Sequence, residues 1–352
     1  MADADRRPAD LPRDPAAPPR PRTLSADELL PPVEPPSAGF LVQLFVVPAV
    51  IVSIIVGIWL AFHWIAHLGQ DPQAYVRTLR RDNEGRWQAA LNLANDLRGP
   101  TGKTLKSDAA LATELGRILA DESKSGRTGE QSQMLRVYLC RALGEFSIPD
   151  AVAPLLERVP DPDPAVARAA TEALAVLTTN LVAAGREPPG PAAAAAVVAA
   201  SKGEDPGLRS AAAFTLGVVA GGDQQAASER LLTLLVDASD DVRYNAALAL
   251  ARLGDRRSLD TLEEMLGLPD EPAPVPGGSR DDEDAAQSRR YKRALVVLNA
   301  LRGLALLVDA TGETLPEGVL SRVKGLADDA VSNIRDGVAA LETKLARLTP
   351  AG

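Results

Sequence analysis

Aromatic residues are scarce in this chain: Phe, Trp and Tyr make up 3% of 352 residues. Any core must therefore be built from Ala, Leu and Val, and small side chains suit stacked helices better than a sandwich or a large α/β sheet. Cysteine occurs once and histidine twice. A single cysteine, Cys140, allows no intramolecular disulfide, which leaves the redox compartment open with a lean to a reducing side. A His-based nucleophilic triad and a His/Cys metal cluster both lack parts, so most hydrolase designs are excluded. Paired carboxylates stay open, because 47 acidic residues make chance pairs inevitable. Excess positive charge is missing too. With 38 Lys and Arg the formal net charge is −9, which argues against a nucleic-acid partner, since such partners are held by phosphate-neutralising cations. No Asn-x-Ser/Thr sequon occurs.

What is present is organised around Phe40 to Trp64, FLVQLFVVPAVIVSIIVGIWLAFHW, a run without Asp, Glu, Lys or Arg. At about 1.5 Å per residue, a helix of this length spans a hydrocarbon core of roughly 30 Å. Residues 40–65 are therefore expected to be one transmembrane helix held in a lipid bilayer. The run starts too late, is too long and lacks the basic flank of a cleaved signal peptide. Pro48 should loosen its first half, and Trp59, Phe62 and Trp64 gather where an aromatic belt sits. Arg77, Arg80, Arg81 and Arg86 follow the run. Before it, Arg20 and Arg22 are offset by Asp27, Glu28 and Glu34. The positive-inside rule thus favours a cytoplasmic C-terminal part, while Arg6, Arg7 and Arg13 keep the reverse topology open.

Residues 1–39 are rich in proline and mixed charge and read as a disordered tail. Residues 66–84 form a juxtamembrane connector with a short helix that carries Tyr75, Val76 and Leu79 on one side. From there the pattern is helical and repetitive. RWQAALNLANDL from Arg86 matches RYNAALALARLG from Arg243. LRVYLCRALG from Leu135, LRSAAAFTLG from Leu208, VARAATEALAVL from Val166 and IRDGVAALETKL from Ile334 fit the same template. YKRALVVLNALRGLALL from Tyr291 is a further copy of unclear register. Asp161 to Pro164, Asp205 to Gly207 and Asp237 to Asp241 supply turns with helix-starting Asp or Pro. Leu-rich second helices follow: AVAPLLERV, SERLLTLLVD and SLDTLEEMLG. The alanine-rich PAAAAAVVAASK from Pro191 is left open between stacking and fraying.

These copies resemble HEAT repeats, in particular the HEAT-like repeats first described in phycobiliprotein lyases. The resemblance implies an all-α fold, an α-solenoid over 85–348 whose stacked helix pairs share a continuous core. It says little about function. The recurrent Arg136, Arg209, Arg243 and Arg335 are expected to be structural, reaching the preceding turn's Asp or a carbonyl of a neighbouring repeat. Residues 267–288, acidic and rich in Pro and Gly, are expected to be a mobile loop, a candidate contact element.

Other motifs dissolve on inspection. GPTGKT at Gly99–Thr104 lacks the first Gly and the preceding strand of a phosphate-binding loop. His63 and His67 share a helix face, with Asp71 one further turn away and two chains able to supply four imidazoles. They read better as polar aromatics at a membrane interface, beside Trp59 and Trp64. Cys140 stands where other copies carry Ala and reads as a small buried residue. Trp87, Tyr138, Phe146, Phe214, Tyr244 and Tyr291 mostly occupy core-like positions. No catalytic, cofactor-binding or metal-binding residue is assigned. The expected function is a non-catalytic, membrane-anchored scaffold whose concave face or acidic loop binds a protein partner. The alternatives are a structural membrane or envelope component and, less favoured, a bilin-lyase-like enzyme.

Overall fold

The computed structural model describes residues 39, 42–68, 72–81, 83, 85–219, 224–269 and 280–348. The chain divides into two units, Met1–Leu68 and Gly69–Gly352. The expected tail, Gly39 apart, and residues 270–279 of the acidic segment lie outside the described residues.

In the first unit a π-helical turn, Val42–Val46, leads into α1, Val47–Leu68. Pro48, which has no N–H to donate, is the second residue after the π-helical turn. Every side chain described from 42 to 62 is exposed, including Phe45, Ile55, Trp59 and Phe62. By length and composition Val42–Phe62 is sufficient to cross a membrane.

The second unit is all helical, with no strand among its described residues. It opens with α2, Pro72–Arg80. One row of helices then repeats along the chain: α3 (Arg86–Arg98), α5 (Glu130–Gly144), α7 (Pro164–Ala183), α9 (Pro206–Val219), α11 (Asp240–Arg252), α13 (Arg280–Thr311) and α15 (Ser332–Ala346). Each member packs on the next. Between them stand the second helices: α4 (Ala109–Lys124), α6 (Val152–Leu156), α8 (Pro191–Ala200), α10 (Gln224–Leu234), α12 (Leu259–Leu266) and α14 (Glu317–Gly325).

Close approach within the first-helix row depends on small residues. A Cβ added to Gly144 would lie 2.9 Å from Cα of Ala173, and one added to Gly217 would lie 2.8 Å from Cα of Ala249. Each glycine ends a copy of the same motif, so one device is used at two crossings, α5–α7 and α9–α11. Thr215 Oγ1 donates to the Thr171 carbonyl at 3.0 Å across the α7–α9 contact. Leucines such as Leu93, Leu139, Leu174, Leu216 and Leu250 are wholly buried between layers, each contributing about 1.5–3 kcal/mol by transfer from water. Turns are set locally. Gly254, at φ 79°, closes α11, with Asp255 N–H bonding the Leu250 carbonyl at 2.9 Å, a geometry that a side chain at residue 254 would oppose.

Four expectations change in detail. The connector helix α2 belongs to the array: Leu79 is fully buried, Tyr75 and Val76 pack against the same core, and α2 touches α3 and α4. Its apolar stripe is too large to leave in water. The alanine-rich helix α8 stacks, burying Ala193, Ala194 and Val197. The expected loop at 267–288 is shorter, because Arg280–Ser288 are the opening turns of α13. Asp281, Asp282 and Glu283 there oppose the positive end of the helix dipole, so the charge that suggests disorder also favours a helix start. Two of the aromatics are not core: Phe214 is 43% exposed and Tyr291 66%, whereas Phe146 is buried.

Candidate interaction surface

The recurrent arginine follows one geometry along the array. Arg209 donates through Nη1 to the Gly203 and Glu204 carbonyls just before its own helix, and through Nε and Nη2 to both oxygens of Asp237 at 2.8 and 2.9 Å. Asp237 stands in the turn that opens the next repeat. Arg86 joins the Leu79 carbonyl to Glu122, Arg243 joins the Asp237 carbonyl to Glu264, and Arg293 joins the Leu268 carbonyl to Asp329. Arg136 reaches Asp161 and Asp163, and Arg335, in the last helix, keeps only the carbonyls of Asp329 and Ala330. The acid belongs mostly to the following turn or the end of the intervening second helix, while Arg243 also pairs with Asp240 of its own preceding turn at 2.8 Å, as expected. Arg293 also fixes the register of the copy that starts at Tyr291.

Asp161, Asp237 and Asp329 each accept a second bond from the N–H two residues on. The Arg209 hydrogen bond holds the Asp237 carboxyl below its ordinary value despite some burial. For Asp329, burial pushes upward, but Arg293 and the Val331 N–H outweigh it, and its carboxyl too is lowered. These arginines tie neighbouring repeats together, although Arg136 Nε and Arg293 Nη1 are buried without a hydrogen-bond partner among the described residues.

A second cluster surrounds Glu122 at the end of α4. Its buried carboxylate accepts from Arg86 Nη1 at 2.8 Å, Arg127 Nη2 at 2.7 Å and Ser132 Oγ at 2.6 Å. Burial raises its pKa, yet Ser132, Arg127 and Arg86 together hold it below the ordinary value. A cavity of about 240 Å³ lies alongside, lined in part by Asn83, Trp87 and Gln131. Glu122 itself occupies the anion position between the two guanidiniums, so the cluster fastens α3, α4 and α5 together.

The sequence-level candidates separate cleanly. In Gly99–Thr104 the chain turns back on α3: a Cβ on Gly102 would sit 2.3 Å from the Leu97 carbonyl oxygen. That places the Gly-Lys pair at the negative end of a helix, and α4 starts only at Ala109, capped by Asp108. Phosphate would find no helix N-terminus there. Cys140 is wholly buried, and burial pushes its thiol up to about 12. The side chains of His63 and His67 lie outside the described residues. Among the described residues no group of three or more His, Cys, Asp or Glu side chains is arranged to hold a metal.

Away from the second helices, the first-helix row carries a surface that sequence reading missed. Phe214 of α9, Leu248 and Arg252 of α11, and Asn299, Arg302 and Leu306 of α13 line a groove of about 210 Å³. Gly303 makes the crossing tight, since a Cβ there would lie 2.8 Å from Leu248 Cδ2. The Arg252 guanidinium lies over the Phe214 ring, 5.9 Å from its centre. Phe214 also borders a neighbouring hollow of about 560 Å³, shared with Arg168, Glu172, Ser210 and Asn245. At the start of the array Trp87 stacks on Tyr138 with ring centres 6.0 Å apart, and Arg141 covers Tyr138. On α11 and α13 the groove positions are spaced three to four residues apart, Leu248 and Arg252, and Asn299, Arg302 and Leu306.

A family model of HEAT repeats matches residues 126–197 and 193–273. No curated protein matches the chain. Among solved structures, the CpcE–CpcF complex of phycocyanin lyase from Nostoc is 20% identical, with 79% of this chain and 95% of that chain covered at a TM-score of 0.44. Human deoxyhypusine hydroxylase is also 20% identical, with 79% and 96% covered at a TM-score of 0.32. A designed armadillo repeat protein is 18% identical, with 73% and 99% covered at a TM-score of 0.32. Residues 126–273 thus carry HEAT repeats, set within an all-α repeat solenoid.

Proposed function

We propose that this chain is a membrane-tethered scaffold: a single-span anchor at residues 40–65 holds a HEAT-like array that binds a partner protein without catalysis. One observation carries the reading. Every described apolar side chain from 42 to 62 is exposed, while the array buries its own apolar stripes in two core clusters. A helix with no polar face needs an apolar solvent, which a bilayer supplies. The surface of stacked first helices suits binding, and both histidines, at 63 and 67, precede the array in sequence. Arg77, Arg80 and Arg81, just beyond the anchor, favour a cytoplasmic array.

Cross-linking in native membranes, followed by purification of the intact chain and mass spectrometry, tests the scaffold. A small reproducible partner set supports it, and no set above background overturns it. Side is read with Ser332→Cys, which an impermeant maleimide should label only after the cell is opened.

A further inference from the structure

In an acidic chain, exposed arginines readily find carboxylates. On the array Arg80 pairs with Glu114, Arg98 with Glu145, Arg256 with Glu313 and Arg322 with Glu263. Arg141 and Arg186, also exposed, have no such partner among the described residues, and neither do the arginines of the groove between α9, α11 and α13. No acidic residue lines it, and among the described residues no carboxylate lies within 4.0 Å of Arg252 or Arg302. Both are exposed. Between them lies an apolar floor of Phe214, Leu248 and Leu306, and beside it Asn299, whose amide has no side-chain hydrogen bond among the described residues. Its volume of about 210 Å³ is below the usual range for small-molecule pockets, and suits a single apolar side chain.

We infer that this groove docks an extended acidic peptide segment of the partner protein. An apolar side chain rests on Phe214 and Leu248, flanking Asp or Glu carboxylates meet Arg252 and Arg302, and the Asn299 amide bonds the peptide backbone. Planar guanidiniums receive carboxylates in two-point geometry, and desolvation by the apolar floor strengthens those bonds. Within a scaffold of net charge −9, this local positive strip also steers an acidic segment to one place. The inference rests on the scaffold reading and names the chemistry of its partner.

The test is fluorescence anisotropy with the full chain in detergent micelles and a labelled peptide of alternating Glu and Leu, against the same peptide with Lys for Glu. The Glu peptide should bind, the Lys peptide should not, and the pair Arg252→Glu with Arg302→Glu should weaken binding at least about tenfold. Phe214→Ser should weaken it separately. Arg117→Glu, an equal kind of charge change elsewhere, should leave it within about twofold. Unchanged far-UV circular dichroism confirms that the exposed variants fold. No preference for Glu over Lys, insensitivity to the Arg252 and Arg302 changes, or equal binding of an oligonucleotide of matched charge would each overturn the inference. Loss of the peptide result with the cross-linked partner set intact removes the groove alone, whereas loss of the partner set removes the scaffold.

Discussion

Two segments of this chain, Val42–Phe62 opening α1 and Asp281–Thr311 within α13, are long and apolar enough to cross a membrane. Their surroundings are opposite. Along α13, Val297, Ala300, Leu301, Leu304, Leu307 and Val308 are buried against α11, α12 and α15, while Arg302 faces out. Along Val42–Phe62 no described side chain is buried and no ionisable residue occurs. Length and composition treat them alike. What separates them is the angular distribution of polarity: α13 has one apolar stripe and a wet face, as a core helix does, and α1 is apolar all round.

The largest expected effect that probes this contrast is in the core of α13. Leu304→Ala should lower the unfolding free energy of the array by about 2–5 kcal/mol in urea titrations. Leu60→Ala in α1 should leave the same transition within about 0.5 kcal/mol. Equal losses would break the comparison.

Glycine offers a sharper version. Gly217→Val drives a side chain into Ala249, so about 1–3 kcal/mol of array stability should be lost. Gly57→Val meets nothing within 4 Å and should leave the array's thermal unfolding where it is.

The arginine ladder belongs to the array alone. Arg209→Ala leaves Asp237 without its main partner and should cost about 1–2 kcal/mol. Because Asp237 and Asp329 titrate lower in the folded chain than in the unfolded one, their contribution is complete above the unfolded carboxyl value and fades as pH falls through the folded value. Thermal unfolding should thus be flat from about pH 5 to 8 and decline below about pH 4. Asp237→Asn should flatten part of that decline. The smallest effect is on an exposed pair: Arg80→Ala should change stability by less than about 0.5 kcal/mol despite its 2.7 Å contact with Glu114.

Much of the array was legible in the sequence because one motif recurs with its turn, so the Ala-Ala pair, the closing Gly and the arginine could be placed before any coordinates. The copy in α13 resisted, since Arg293 follows Lys292 rather than Val or Leu, and Val296 and Val297 replace the alanine pair. Only its bond to Asp329 sets the register. The direction of the arginine contacts was hidden for a similar reason: a motif shows which residues recur, not which neighbour they touch. The groove was missed because Phe214, Leu248 and Leu306 come from three helices, and an outward apolar position at helical spacing reads like core until its neighbours are known.

Alkaline carbonate extraction of membranes containing the full chain, or a chain lacking residues 42–68, tests the central claim most directly. The account predicts that the full chain stays in the membrane pellet and that the shortened chain is soluble with array helicity retained. A full chain released by carbonate, or a shortened chain that still pellets through α13, would contradict it.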